Sequence, residues 1–79
     1  MYSVYVIQSF THGNRYLGST DDVLKRVAEH NNGKCRYTSG RLPWKLIYQE
    51  EQHTRSVAMK REKFLKSGQG RKWLDEKLK

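Results

Sequence analysis

Five side chains carry the chemistry this sequence could perform: Tyr5, Tyr16, Arg26, His30 and Glu62. Arg26 and His30 stand at i and i+4, so on a helix they share a face, with Val23 and Val27 beside both. A cation and an imidazole bordering a buried stripe can contact a phosphate or carry a proton, because the imidazole changes charge near neutrality. A snorkelling arginine and a histidine capping the helix end fit the same spacing. Glu62 has Ala58, Met59 and Leu65 as helical neighbours, which shields its carboxylate, while Lys66 at i+4 offers a surface ion pair worth ~0.3–0.5 kcal/mol. Arg61 falls even closer to the centre of that stripe, between Val57 and Phe64, so position alone does not separate functional from structural charges. Lys34, Arg36 and Arg41, with Tyr37 among them, have the cations, small neighbours and aromatic ring of a segment that tracks phosphates, or of a solvated loop.

These groups need elements to hold them. Residues 4–7 form a β-branched and aromatic run suited to a strand buried on both faces. Gly13-Asn14 then predicts a turn with a positive φ at Gly13, leading into a second strand around Tyr16. Ser19-Thr20-Asp21-Asp22 reads as the start of a helix running to about His30, with Val23, Leu24, Val27 and Ala28 as its apolar stripe and Lys25 and Glu29 as an outward pair. Residues 31–43 lack periodicity and read as an exposed loop. A third strand over 44–48, a helix over 54–66, a break at Ser67-Gly68-Gln69-Gly70 and a last helix over 71–78 complete the chain. The order ββαβαα excludes a doubly wound parallel sheet and predicts an α+β fold, a small three-stranded antiparallel or mixed sheet flanked by helices. Tyr5 and Tyr16 share a sheet face only if paired residue numbers in the hairpin sum to an odd value. Otherwise each tyrosine is a core residue whose hydroxyl finds some partner.

Composition bounds the rest. In 79 residues, 16 Lys+Arg against 8 Asp+Glu leave a net charge of +8, which points to a polyanionic partner or simply to solubility. One domain, 1–79, is expected at this length. The single cysteine, Cys35, excludes an intrachain disulfide and a cysteine-rich zinc site. No run is apolar enough to span a membrane, and the N-terminal residues lack the pattern of a secretory signal, so the cytoplasm is the expected compartment.

Ser3-Val4-Tyr5, then Tyr16-Leu17-Gly18, then Arg26 and His30-Asn31, and finally Ala58-x-x-x-Glu62-x-x-x-Lys66 follow one another in an order that resembles the GIY-YIG nuclease family. The small single-domain form is similar to bacterial members related to the nuclease domain of the excision-repair incision subunit. The resemblance implies a metal-dependent endonuclease that hydrolyses DNA phosphodiester bonds. Glu62 would hold one Mg²⁺ or Mn²⁺, Arg26 would contact the scissile phosphate, Tyr16 or His30 would be the general base, and Tyr5 would position water or phosphate. Lys34, Arg36, Tyr37 and Arg41 would meet the nucleic acid. Ser3 and Leu17 depart from the family's Gly and Ile, and no Asn follows Asn32, although the family often places one in the site beyond the glutamate helix. Without the accessory DNA-binding domain of larger members, DNA structure or a protein partner is expected to direct cleavage. Two rival readings accompany this one: a noncatalytic nucleic-acid-binding module of the same fold, and a module whose basic face meets an acidic protein.

Overall fold

The computed structural model describes residues 1–78 and shows a three-stranded sheet covered on both faces by helices. Strand β1 (Tyr2–Ser9) lies at its centre, antiparallel to β2 (Arg15–Thr20) on one side and to β3 (Trp44–Gln52) on the other. This explains its unbroken apolar run. Val4 and Val6 pack on one face against Ala58, Leu65 and Leu74, while Tyr5 and Ile7 pack on the other against Trp44, Val23 and Val27. The hairpin turns at Gly13, with φ +75°, and Ser9 N–H donates to the Asn14 carbonyl at 2.9 Å. Tyr5 pairs with Gly18 and Ile7 with Tyr16, so paired numbers sum to an odd value, 23, and both tyrosines face the same way. Strand β3 continues past residue 48, where the sequence turns polar, because residues 49–52 pair with residues 2–5 of β1. Backbone ladder bonds do not require apolar side chains.

Helix α1 (Val23–Asn31) begins where the Asp22 carboxylate accepts from Lys25 N–H at 3.1 Å. Its inward face differs from the expected stripe. Leu24 is 80% exposed and Ala28 is also exposed, whereas Val23, Arg26, Val27 and His30 turn towards the sheet. The expected pairing of Lys25 with Glu29 gives way to Arg26 with Glu29, at 3.4 Å. The supposed loop contains a helical turn, α2 (Arg36–Ser39), whose Thr38 is fully buried.

Helix α3 (Arg55–Lys66) is capped by Thr54, whose hydroxyl accepts from Val57 N–H at 3.2 Å. It buries Ala58 and Leu65 and leaves Val57 and Phe64 exposed, so the half-buried positions between go to Arg61 and Glu62. Arg61 Nε donates to Glu50 at 2.6 Å, and its guanidinium lies 4.7 Å from the Trp73 ring centroid. The break expected at residues 67–70 is a tight corner: α4 (Gly68–Lys77) starts at once, capped by Ser67. A Cβ at Gly70 would lie 2.0 Å from the Phe64 carbonyl oxygen, so only glycine admits this close approach.

Arg61 is thus structural. Arg61→Ala removes the pairing with Glu50 and the stacking on Trp73 together, and is expected to lower unfolding free energy by roughly 1–2 kcal/mol in urea titrations.

Candidate active site

The missing side chain at position 18 creates the site. A Cβ there would lie 2.5 Å from the Tyr5 hydroxyl oxygen and 2.7 Å from the carbon bearing it, so the tip of the Tyr5 ring occupies the space a larger residue would fill. Because Gly18 lies directly opposite Tyr5 on an edge strand, the Tyr5 hydroxyl is carried to the rim of the sheet.

A buried chain of hydrogen bonds holds it there. Tyr5 Oη is 3.0 Å from His30 Nε2, His30 Nδ1 is 2.9 Å from Thr38 Oγ1, and Thr38 Oγ1 donates to the Cys35 carbonyl at 3.2 Å. Since the Thr38 proton points to Cys35, Thr38 accepts from His30 Nδ1–H, which leaves Nε2 to accept from Tyr5 O–H. His30 is fully buried with both ring nitrogens engaged. It therefore cannot contact a phosphate directly, one of the roles its helical position allows, and any proton it exchanges with solvent passes through Tyr5. Burial, and then the Arg26 charge, hold its imidazole below the ordinary 6.5. Burial likewise pushes Tyr5 up to about 12; the neighbouring Arg26 guanidinium opposes this, while Tyr16 and Glu62 add to it. Tyr5 is a neutral phenol at physiological pH.

Tyr16 lies on the same face, its ring edge against His30 with centroids 5.0 Å apart. Burial and then Cys35 raise its hydroxyl above the ordinary value, and the Arg26 and Lys66 charges pull it back. A base role for Tyr16 therefore requires further positive charge. Arg26, on α1, is half-buried beside the Tyr5 hydroxyl. Cys35 opens α2 close by. Burial pushes its thiol up, but hydrogen bonds from Thr38 and Tyr37 and the Arg26 charge bring it below its ordinary value. Neither Cys35 nor Thr38 was legible as a site neighbour, because both lie in an aperiodic stretch with no sequence signal.

Glu62 arrives from the opposite layer. Helices α1 and α3 cover different faces of the sheet, α1 against β3 and β1 and α3 against β2 and β1, so Glu62 approaches the edge strand from the side opposite to Tyr5 and Tyr16. Lys66 pairs with Glu62 at 2.7 Å, the ion pair expected from their i,i+4 spacing. Lys66 is more than a solvated neighbour, since its charge also acts on Tyr16. Among the expected nucleic-acid contacts, Lys34 and Arg36 are exposed. Tyr37 packs on Tyr16 with centroids 5.7 Å apart, and Arg41 sits 4.6 Å from the Tyr37 ring centroid.

The donor set can be tested against a divalent ion. Glu62 lines a cavity of about 570 Å³ with the oxygen donors Ser19, Thr20 and Asp21 and with the cations Arg55, Lys63 and Lys66. Among the described residues no three His, Cys, Asp or Glu side chains cluster as a metal cage. Two carboxylates, Glu62 and Asp21, with hydroxyls around them suit a hard ion such as Mg²⁺, which keeps most of its water and would take the place of Lys66 as the partner of Glu62. The residues fit.

The GIY-YIG catalytic domain matches residues 1–75 of the chain. The chain belongs to the GIY-YIG family. It is 45% identical over 65 residues to a UPF0213 protein of Staphylococcus epidermidis, covering 81% of this chain and 78% of that one. It is 48% identical over 63 residues to a UPF0213 protein of Halobacterium salinarum, covering 78% and 80%. The solution structure of the UPF0213 protein BH0048 from Bacillus halodurans is similar at a TM-score of 0.57 and 31% identity, covering 96% of this chain and 84% of that one. GIY-YIG proteins form a nuclease family whose substrate is nucleic acid and whose members generally use divalent ions. No helix among the described residues is long and apolar enough to cross a membrane.

The close contact over Gly18 gives the last residue of the family's second triplet a steric reason in this chain. Gly18→Ala is expected to displace the Tyr5 hydroxyl and break its bond to His30, visible as loss of the His30 Nε2 hydrogen bond in ¹⁵N NMR spectra, with melting lowered by several degrees.

His30 also sets a pH dependence. A histidine whose folded value is depressed contributes stability that is complete above about 6.5 and is lost as pH falls from there through its lowered folded value. Wild-type protein should lose stability in urea titrations as pH falls below about 6.5, and His30→Gln should lose less over the same interval.

Proposed function

We propose that this GIY-YIG protein is a metal-dependent endonuclease that hydrolyses DNA phosphodiester bonds, directed by DNA structure or by a partner protein. This reading is supported by the shared face of Tyr5 and Tyr16 in the β1–β2 hairpin, with Arg26 beside the Tyr5 hydroxyl, and by the position of Glu62 in a cavity with Ser19 and Thr20 on the other side of the same edge strand. Arg26 presents a planar cation beside the Tyr5 hydroxyl, suited to the non-bridging oxygens of a phosphate and to the charge that grows on them during attack. Because the Tyr5 proton points inward to His30 in a side chain only 1% exposed, its free lone pair is left for Arg26 or for a water that substrate binding admits. Tyr16 is the candidate to take that water's proton, with Arg26 and Lys66 already favouring its anion. Glu62 would hold the divalent ion, which supplies Lewis-acid stabilisation of the phosphate and positive charge near Tyr16.

A noncatalytic nucleic-acid-binding module is the second reading, supported by the Glu62–Lys66 ion pair and by the raised Tyr16 hydroxyl.

Cleavage of nicked, flapped and plain duplex DNA in Mg²⁺ or Mn²⁺ distinguishes them. Glu62→Gln is expected to abolish cleavage, as is chelation of the metal, with the melting temperature nearly unchanged. Tyr16→Phe should cost about 10²–10⁴-fold in rate with little change in stability, whereas Tyr5→Phe should cost less in rate and lower stability by roughly 1–3 kcal/mol, because it leaves the buried His30 Nε2 without a partner. Salt-dependent binding by wild-type protein with no cleavage of any substrate would favour the noncatalytic module. Affinity should fall steeply with salt in either case, because the charge excess acts on phosphates.

A further inference from the structure

Two cavities lie along the edge of β2 that faces away from β1. One borders Ser19 and Thr20 and contains Glu62; the other, of about 660 Å³, borders Arg15, Tyr16 and Leu17. Gly18, with the Tyr5 hydroxyl over it, falls between these stretches of strand, and Lys66 lines both cavities. A phosphate held at Arg26 would therefore have one nucleotide neighbour directed into each.

The cavity beside Tyr16 has two chemical parts. Its apolar lining comes from Tyr16, Tyr37, Leu17 and Leu74, and its cations are Arg15, Lys66 and Arg71. Arg15 is tied to Asp75 and Lys66 to Glu62, whereas Arg71 has no carboxylate partner among the described residues. Arg71 is thus the cation open to a phosphate. A base-paired duplex presents a convex, charged backbone and keeps its base faces stacked inside, so it cannot use a recessed aromatic and aliphatic wall. An unpaired nucleotide can fill the recess with its base and leave its phosphate at the cationic rim. The volume is in the range of small-ligand sites.

We propose that this cavity takes an unpaired nucleotide adjoining the scissile phosphate, so that the protein selects DNA with a single-stranded flank next to a duplex. The base packs against Tyr16, Tyr37 and Leu17, and Arg71 holds the phosphate. This rests on the nuclease reading above and adds to it the substrate class and the binding role of Arg71.

The test is fluorescence anisotropy of end-labelled DNA in chelator, so that cleavage plays no part. The same duplex is compared blunt, with a short 5′ single-stranded extension, and with a 3′ one. At least one extension should tighten binding about 5–50-fold, which is about 1–2.4 kcal/mol and within the range for stacking one base. Arg71→Gln should remove most of that preference while leaving blunt-duplex affinity within about twofold, and Tyr37→Ala should remove most of it as well. Lys72→Gln, an equal loss of charge on a neighbouring exposed residue outside the cavity lining, should leave the preference intact. Equal affinity for blunt and extended DNA, or equal effects of Arg71→Gln and Lys72→Gln on every DNA, would overturn the cavity's assignment and leave the nuclease reading standing. Absence of binding to any of these DNAs would overturn both.

Discussion

The contact between the Tyr5 hydroxyl and the bare backbone of Gly18 organises this protein. It requires the odd-sum register of the hairpin, which sets the two residues opposite each other, and an edge strand, which lets the hydroxyl reach the rim. It also requires the buried chain through His30, Thr38 and the Cys35 carbonyl, which satisfies the phenol and fixes the direction of its proton. No side-chain nitrogen or oxygen buried among the described residues lacks a partner. A buried polar network is stable only when every member is satisfied, so loss of one link leaves unpaired groups throughout it.

The same logic appears on both helices that supply the site. On α1 the inward positions are Val23, Arg26, Val27 and His30; on α3 they are Ala58, Arg61, Glu62 and Leu65. Each series follows i, i+3, i+4, i+7, and each gives two of four positions to titratable or charged groups. Apolar residues lie outside instead: Leu24 on one helix, Val57, Met59 and Phe64 on the other. These helices are anchored by few contacts, and the charges between the anchors are paired or hydrogen-bonded. Arg61 uses its position for structure, through Glu50 and Trp73. Arg26, with only a 3.4 Å contact to Glu29, keeps capacity for a ligand.

A narrow sheet makes convergence across layers possible. Three strands leave β2 at an edge, so side chains from α1 on one face and α3 on the other can meet around it without crossing the core. In a wider sheet the same helices would be separated by further strands. The small size of the chain and the reach of its candidate site are therefore linked.

The chain by itself determined the order of elements, because strand and helix periods, caps at Asp22 and Thr54 and the turn at Gly13 are local signals. The motifs around Tyr5, Tyr16, Arg26 and Glu62 likewise marked the family, since their order along the chain is a property of sequence. Which helical face turns inward was not legible from hydropathy: Leu24 and Phe64 were natural core candidates, and only packing against the sheet showed that Arg26 and Glu62 hold the half-buried positions. Residues 49–52 joined the sheet through backbone bonds that side-chain polarity does not report. Thr38 and Cys35 came to the site through a fold of residues 32–43 with no periodicity to read. The hairpin register, on which the shared face of the two tyrosines depends, was set by strand pairing and turn geometry together, a relation between distant residues that tertiary structure alone decides.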